Sequence, residues 1–190
     1  MELTHTLKEW AIAVQALEKG ETILLLRKGG IREKGGAFTI PDREILLYPT
    51  YEHQKPHLLK PDYANQVKPV DSGWHPAIVP IGSWAKITDI LQVSEEETVS
   101  ALLPFHIWNE QFVQERFGWK PRQPLTVLLL RVYKFAQAKT IPFLPEYGGC
   151  RSWMDVAEPF ALEESKPVLG DSAYIQKAAE IRGLMTEIQI

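Results

Sequence analysis

Residues 125–135 read LTVLLLRVYKF and give the clearest structural signal in the sequence. A short run rich in branched, aliphatic and aromatic residues, without Gly or Pro, is typical of a strand buried in a sheet. A similar run, TILLLR, occupies residues 22–27, and EILLY at residues 44–48 ends before Pro49, which cannot donate to a ladder. Residues 84–93 alternate between apolar and polar side chains, as in a strand with one solvated face. The sequence therefore predicts four strands.

Helical patterns lie before, between and after these strands. Residues 6–9, TLKE, have the spacing of a capping box, and the apolar residues that follow predict a helix over residues 7–18. A second capping box at residues 94–97 predicts a short helix, and a further helix is predicted over residues 104–117. Asp171 is a suitable N-cap for a last helix with one apolar stripe. Helices and strands thus occur together, but not in regular alternation.

This order of elements predicts an α+β fold, with a small mixed β-sheet or a PUA-like β-barrel flanked by helices. We expect a single domain over residues 1–190, with 94–118 as a helical insertion and 171–190 as a C-terminal helix. The glycine pairs within residues 29–36 predict a hairpin with an extended tip. Residues 50–80 contain five prolines and predict a long, ordered loop with one short helical turn.

The composition is that of an ordinary globular protein: 190 residues, 45% hydrophobic and 24% charged, with a formal net charge of −3. These values exclude an intrinsically disordered chain and a uniformly basic nucleic-acid-binding protein. The single cysteine cannot form an intrachain disulfide and no signal peptide is recognisable, so we expect a cytoplasmic protein. The apolar runs are too short to cross a bilayer, so we expect no membrane association.

The net charge conceals an uneven distribution along the chain. Residues 27–68 hold eight basic and five acidic side chains, and residues 116–153 hold seven basic and one acidic, so these segments carry +3 and +6. If the strands of these two segments are neighbours, the fold carries a local basic cleft on an acidic body. Aromatic residues lie among the basic ones, and this combination suits phosphate and base contacts. Ordinary solvated surface charge is the alternative explanation.

We therefore predict a nucleic-acid- or nucleotide-binding module whose partner is RNA, single-stranded DNA or a nucleotide. Residues 47–54, LYPTYEHQ, are the most unusual stretch, because a strand end is followed at once by side chains that form hydrogen bonds. A turn network that caps the strand is the alternative. The candidate ligand-binding residues are Arg27 and Lys28 for phosphate, Thr50, Tyr51, His53 and Gln54 for base or ring contacts, and Arg131, Arg151 and Trp153 to complete the cleft.

Two other functions stay open at this point. A hydrolase or metal-dependent nuclease acting on nucleic acid or a nucleoside would use His53 or Glu52 as acid or base, or Cys150 as nucleophile. No residue spacing defines a metal or cofactor site, so we expect no bound metal and no cofactor. We assign no catalytic residue from the sequence. A protein–protein adaptor would instead present Trp108 and Trp119 at the surface.

Four motifs make the sequence similar to a bacterial family catalogued as domain of unknown function 1802. They are KEW at residues 8–10, the segment 24–30, LYPTYEHQ at residues 47–54 and GCRSW at residues 149–153. This resemblance extends over nearly the whole chain and implies no particular chemistry. A second resemblance, carried by GETILLLR at residues 20–27, is to PUA-like domains of the ASCH and EVE type. It implies a small β-barrel with flanking helices that binds RNA or modified bases.

Overall fold

A computed structural model of the protein describes residues 1–28 and 40–187, with side chains up to Met185. The described part contains seven strands: β1 (Glu2–Trp10), β2 (Leu24–Arg27), β3 (Glu44–Thr50), β4 (Ile78–Val93), β5 (Leu125–Pro142), β6 (Trp153–Ala161) and β7 (Lys166–Pro167). The four predicted strands correspond to β2, β3, β4 and β5, and β1, β6 and β7 are additional. The hairpin predicted within residues 29–36 lies outside the described residues.

The strands form one open, mixed sheet in the order β2-β5-β4-β3-β1-β6, with β7 paired to β5. β1 and β3 are parallel, with Thr6 opposite Leu46 and Trp10 opposite Thr50, and the other pairings are antiparallel. The predicted α+β class with a mixed sheet is confirmed, whereas the alternative of a closed barrel is wrong because the sheet is open. β2 and β5, the strands that reach into the two basic segments, are neighbours.

Five α-helices surround the sheet within the described residues: α1 (Ala11–Glu18), α2 (Pro61–Ala64), α3 (Glu96–Ala101), α4 (Glu110–Gly118) and α5 (Asp171–Glu187). Short 3-10 turns occur at Pro56–Leu58, Leu103–Phe105 and Pro145–Tyr147. Among the described helices, none combines the length and the apolar composition needed to cross a bilayer.

The first helix begins at Ala11 rather than at residue 7, because the preceding residues form β1. Thr6 caps no helix: its hydroxyl donates to the Met154 carbonyl of β6 at 2.9 Å. β1 lies between β3 and β6 and forms hydrogen bonds with both. Pairing on two sides thus outweighs the local capping pattern, which is a weak preference by comparison.

The fourth helix also begins later than predicted, at Glu110 instead of residue 104. Its N-cap is Asn109, whose side-chain oxygen accepts from the Phe112 amide at 3.1 Å. The Asn109 side-chain amide donates to the His57 carbonyl at 2.7 Å. The cap therefore also fastens α4 to the long loop before β4.

β3 is buried on both faces and separates two hydrophobic cores. Ile45 and Leu47 belong to a core shared with α1, β2 and β5, whereas Leu46 and Tyr48 belong to a second core shared with β6 and residues 135–147. Burying one such aliphatic side chain contributes about 1.5–3 kcal/mol. Because β3 is packed on both faces, the residues at its carboxyl end are held in place by the scaffold.

Candidate binding cleft

A cavity of about 400 Å³ opens where β1, β2 and β3 end. Because β1 and β3 are parallel, their carboxyl ends lie side by side. The loop between β5 and β6 and the segment 73–76 complete the walls. We call this cavity the cleft; it is lined by residues 8–10, 26–28, 48–53, 73–76 and 147–152, together with Val79, Arg116, Trp119 and Phe143.

A buried ion pair in the wall of the cleft connects the two ends of the open sheet. Arg27, the last residue of edge strand β2, donates to Glu9 Oε2 at 2.9 Å and to Ser152 Oγ at 2.6 Å. Glu9 lies on β1 and its side chain is 6% exposed, and Ser152 directly precedes β6. The other carboxylate oxygen of Glu9 accepts from the Trp10 amide at 2.8 Å. The sheet therefore curls until polar side chains of its opposite edges meet.

Lys8 fixes the loop between β5 and β6. Its ammonium donates to the carbonyls of Tyr147 at 2.6 Å and Gly149 at 2.9 Å. Burial and the nearby Arg151 guanidinium lower the pKa of Lys8. Gly149 has φ of 82°, a conformation that residues with a side chain rarely adopt. Arg151 is exposed and donates to the Glu146 carbonyl, so the loop presents its guanidinium beside the cleft.

Two further cations belong to the wall formed with α4. Lys28 is buried, donates to the Phe117 carbonyl at 2.7 Å and lies 5.6 Å from the centre of the Phe117 ring. The Arg116 guanidinium lies 5.2 Å from the centre of the Phe112 ring. Burial is the main factor that lowers the pKa of both Lys28 and Arg116. Cations in such a poorly solvated position attract an anion more strongly than cations in bulk water.

The end of β3 supplies aromatic and hydroxyl groups. Tyr48 is buried, and its hydroxyl has no hydrogen-bond partner among the described residues. Burial raises the pKa of Tyr48 to about 12, so the phenol is neutral. The Thr50 hydroxyl donates to the Glu9 carbonyl at 3.0 Å. The turn network that was the alternative for this stretch is thus present, and it forms part of the cleft wall.

Glu52 holds the loop that carries Trp74. Its Oε1 accepts from the Gly73 amide at 2.6 Å and from the Ser72 hydroxyl at 3.3 Å. The hydrogen bond from the Gly73 amide is the largest of the effects that lower the pKa of Glu52. His53 Nε2 lies 3.4 Å from the same carboxylate, and His53 has φ of 68°. Glu52 therefore organises both the strand end and the neighbouring loop.

The contribution of Glu52 to folding is expected to depend on pH. A carboxylate whose pKa is lowered by folding stabilises the protein above the unfolded pKa, about 4.3, and loses that effect as the pH falls through the folded value. We therefore expect Glu52→Gln to lower the free energy of unfolding at pH 7 and to have a smaller effect at about pH 4, below the unfolded pKa. Urea unfolding of both proteins at the two pH values measures this. An equal difference at both values would show that the charge is not responsible.

Six of the nine candidate ligand-binding residues line the cleft, namely Arg27, Lys28, Thr50, Tyr51, His53 and Arg151. The remaining three do not. Gln54 turns its side-chain oxygen to the backbone of α1. Arg131 pairs with Asp171 at the start of α5, and Trp153 stacks on His5 at 5.3 Å between ring centres. The single cleft expected for Arg131, Arg151 and Trp153 is therefore not formed, because β5 and β6 direct two of these side chains to other partners.

Lys8, Tyr48 and Arg116 line the cleft but were not among the candidate residues. Lys8 was missed because its segment was predicted as a helix, although it belongs to the KEW motif. Arg116 lies in the second basic segment, where the sequence does not show which cations face inward. Tyr48 lies in the stretch LYPTYEHQ, two residues before Thr50, which is the first candidate residue in that stretch.

The residues considered for the other two functions have different environments. Glu52, His53 and Cys150, the candidates for a hydrolase, all line the cleft. Trp108 is 2% exposed, so the adaptor surface predicted for it is wrong, because this ring packs in the core beside Phe112. Trp119 is 38% exposed and lines the cleft. Within residues 1–28 and 40–187, no group of three or more His, Cys, Asp or Glu residues is arranged to hold a metal ion.

The fold and the cleft define a small α+β domain built on one open mixed sheet, with a cleft where its parallel strands end. The family described as Domain of unknown function (DUF1802) matches residues 6–180; the chain belongs to this family, and the resemblance drawn from the four motifs is confirmed.

Solved structures of an ASCH protein are similar to this chain, as the second resemblance implied. The ASCH protein of Zymomonas mobilis matches at 16% sequence identity and a TM-score of 0.46, covering 93% of each chain. A single-residue mutant of that protein matches at 16% identity and a TM-score of 0.47, covering 93% of this chain and 94% of the other. No curated protein matches the sequence significantly.

Proposed function

We propose that the protein is a nucleic-acid- or nucleotide-binding module and that the cleft is its binding site. One observation carries this proposal: five Lys and Arg side chains line the cleft against two carboxylates, in a chain whose net charge is −3. They are Lys8 on β1, Arg27 and Lys28 at the end of β2, Arg116 on α4 and Arg151 in the β5–β6 loop. A concave surface of one charge attracts ligands of the opposite charge and raises their local concentration.

The five cations have different roles in this proposal. Arg27 is engaged by Glu9 and Ser152, so it shapes the wall of the cleft. Lys28 is buried against the Phe117 carbonyl and supplies a fixed positive potential. Arg151 is exposed, and its planar guanidinium suits bidentate contact with a phosphate group. We therefore assign the first phosphate contact to Arg151.

Aromatic rings supply the second element of recognition. Tyr51 and Trp119 line the same cleft as the cations, and both are partly exposed. Stacking of bases on such rings tolerates any sequence, because every base has a π-face. A cavity of about 400 Å³ is within the range of sites for small organic ligands, so the cleft suits one nucleotide unit.

We expect a fluorescein-labelled RNA hexamer of mixed sequence to bind the full chain, with an affinity that falls as salt rises. Each phosphate neutralised on a single strand contributes about −0.7 to the slope of log affinity against log salt, so two or three contacts give a slope of about −2. Fluorescence anisotropy at several KCl concentrations measures the slope. A DNA hexamer separates RNA from DNA preference, and an uncharged morpholino hexamer is the control. Equal binding of the uncharged hexamer, or no binding at low salt, contradicts the proposal.

A hydrolase acting on nucleic acid or a nucleoside is the second candidate. The observation that favours it is that Glu52, His53 and Cys150 line one cleft, with His53 Nε2 3.4 Å from the Glu52 carboxylate. In such a hydrolysis, His53 or Glu52 takes a proton from the attacking water while the leaving group departs. Alternatively, the Cys150 thiolate displaces the leaving group and water then cleaves the covalent intermediate. Cleavage of a labelled RNA by the purified protein tests it. Unchanged cleavage by His53→Ala, Glu52→Gln and Cys150→Ser would exclude these assignments.

A further inference from the structure

A second cavity, of about 560 Å³, lies next to the cleft. We call it the groove; its walls come from α1, from residues 66–70 of the long loop, and from Pro80, Gly82 and Ala138 of β4 and β5. Pro49, Tyr51 and Trp74 line both the groove and the cleft. The two cavities therefore meet along a wall that consists mostly of aromatic side chains.

We propose that the ligand is a single strand of nucleic acid that occupies the cleft and the groove together, with the Trp74 indole as the stacking platform between them. This inference rests on the proposed function and narrows it, because a free nucleotide fills only the cleft. The observation behind it is that the two cavities share wall residues and that one of these, Trp74, is an exposed ring. A duplex is excluded from this path, since its bases are already stacked and paired.

Trp74 is exposed to solvent, but contacts with neighbouring residues fix the position of its ring. Its side chain is 45% exposed, and its ring meets Tyr51 edge to face, with 6.0 Å between ring centres and an interplanar angle of 89°. The turn before it is fixed by the Glu52 carboxylate, which accepts from Gly73 and Ser72. A large apolar ring held at the surface between two cavities is available for a base at a low cost in conformational entropy.

The chemistry of the groove differs from that of the cleft. Gln15 and Gln66 supply neutral amides, and Lys68 is the lysine of its lining. Glu18 also lines the groove, but it accepts a hydrogen bond from the Ser83 hydroxyl at 2.8 Å. Neutral amides suit base edges and sugar hydroxyls, whereas the cations of the cleft suit phosphate. The groove thus suits the bases and sugars of a nucleic-acid strand whose phosphate is bound in the cleft, and it is not a second phosphate site.

The test compares one nucleotide with a strand, in the wild-type chain and in variants of Trp74. The probe is a fluorescein-labelled random RNA hexamer, and the competitor is an equimolar mixture of the four ribonucleoside 5′-monophosphates. We expect the hexamer to bind at least about ten-fold more tightly than the monophosphates. We expect Trp74→Ala to weaken hexamer binding about ten-fold and to weaken monophosphate binding by a clearly smaller factor, because the ring also lines the cleft. Trp74→Phe keeps an aromatic ring and is expected to restore most of the loss. Ile175→Ala removes an exposed apolar side chain on α5 and is the matched control.

The outcomes separate this inference from the proposed function. Competition by monophosphates with no gain for the hexamer overturns the inference and leaves the cleft as a nucleotide site. A Trp74→Ala variant that loses monophosphate and hexamer binding equally also overturns it, because the ring then belongs to the cleft alone. If neither probe binds, both the inference and the proposed function are wrong. A length-dependent gain that Trp74→Ala removes and Trp74→Phe restores supports both.

Discussion

Replacing Arg27 with methionine is expected to lower the free energy of unfolding by about 3 kcal/mol, because the change leaves the Glu9 carboxylate buried without its cation. The Glu9 side chain is 6% exposed, and Arg27 lies 2.9 Å from it. The Trp10 amide still donates to Glu9 and the Arg116 charge still lies near it, but neither replaces the hydrogen-bonded ion pair that is lost. The same change removes the Arg27 contact to Ser152, so the two ends of the open sheet lose a polar connection.

Urea unfolding followed by tryptophan fluorescence measures this change. Replacing both partners, Glu9→Leu with Arg27→Met, is expected to recover much of the loss, because no unpaired charge is then buried. Lys86→Met breaks the exposed pair with Glu44, whose atoms lie 4.0 Å apart, and is the matched control with an expected effect below about 1 kcal/mol. If Arg27→Met lowers the free energy of unfolding no more than Lys86→Met does, the buried pair does not stabilise the curled sheet.

The strands were predictable where the sequence signal depends only on the strand itself. β2, β3, β4 and β5 contain apolar or alternating runs, and each was located, although β4 and β5 continue further than predicted. β1 was not located from the sequence, because TLKEW fits the start of a helix as well as a strand. Its state is decided by β3 and β6, which pair with it from distant parts of the chain. Long-range pairing of this kind leaves no trace within a local window.

The site could be predicted only in part, for a related reason. The stretch LYPTYEHQ and the segment GCRSW both reach the cleft, because a strand end and a loop present consecutive residues together. Segment charge could not show which cations converge. Arg131 lies in the most basic segment but pairs with Asp171, whereas Lys8 lies in an acidic segment and lines the cleft. Which basic side chains meet in the cleft depends on the topology of the fold, and this cannot be deduced from the charge of each segment.

Reversing one charge beside the cleft is expected to weaken RNA binding far more than reversing one elsewhere. Arg151→Glu changes the charge of the exposed β5–β6 loop by two units. We expect hexamer affinity to fall at least about ten-fold at about 0.1 M salt, because the new carboxylate repels the phosphates. Lys134→Glu changes the net charge by the same amount on an exposed position of β5 that does not line the cleft. Its effect is expected to stay within about two-fold at the same salt concentration, because an exposed charge outside the cleft makes no contact with the bound strand and salt screens it.

The salt dependence identifies the cause of the loss. If Arg151 contacts a phosphate, Arg151→Glu lowers the magnitude of the salt slope by about 0.7, whereas Lys134→Glu leaves it unchanged. Arg151 also donates to the Glu146 carbonyl, so unfolding of each variant in urea checks that the loop change has not destabilised the fold. Equal losses for the two variants would mean that the chain attracts RNA through its overall charge, and the cleft would then have no special role. A loss confined to Arg151→Glu, with the smaller slope, is the result that the convergence of cations in the cleft requires.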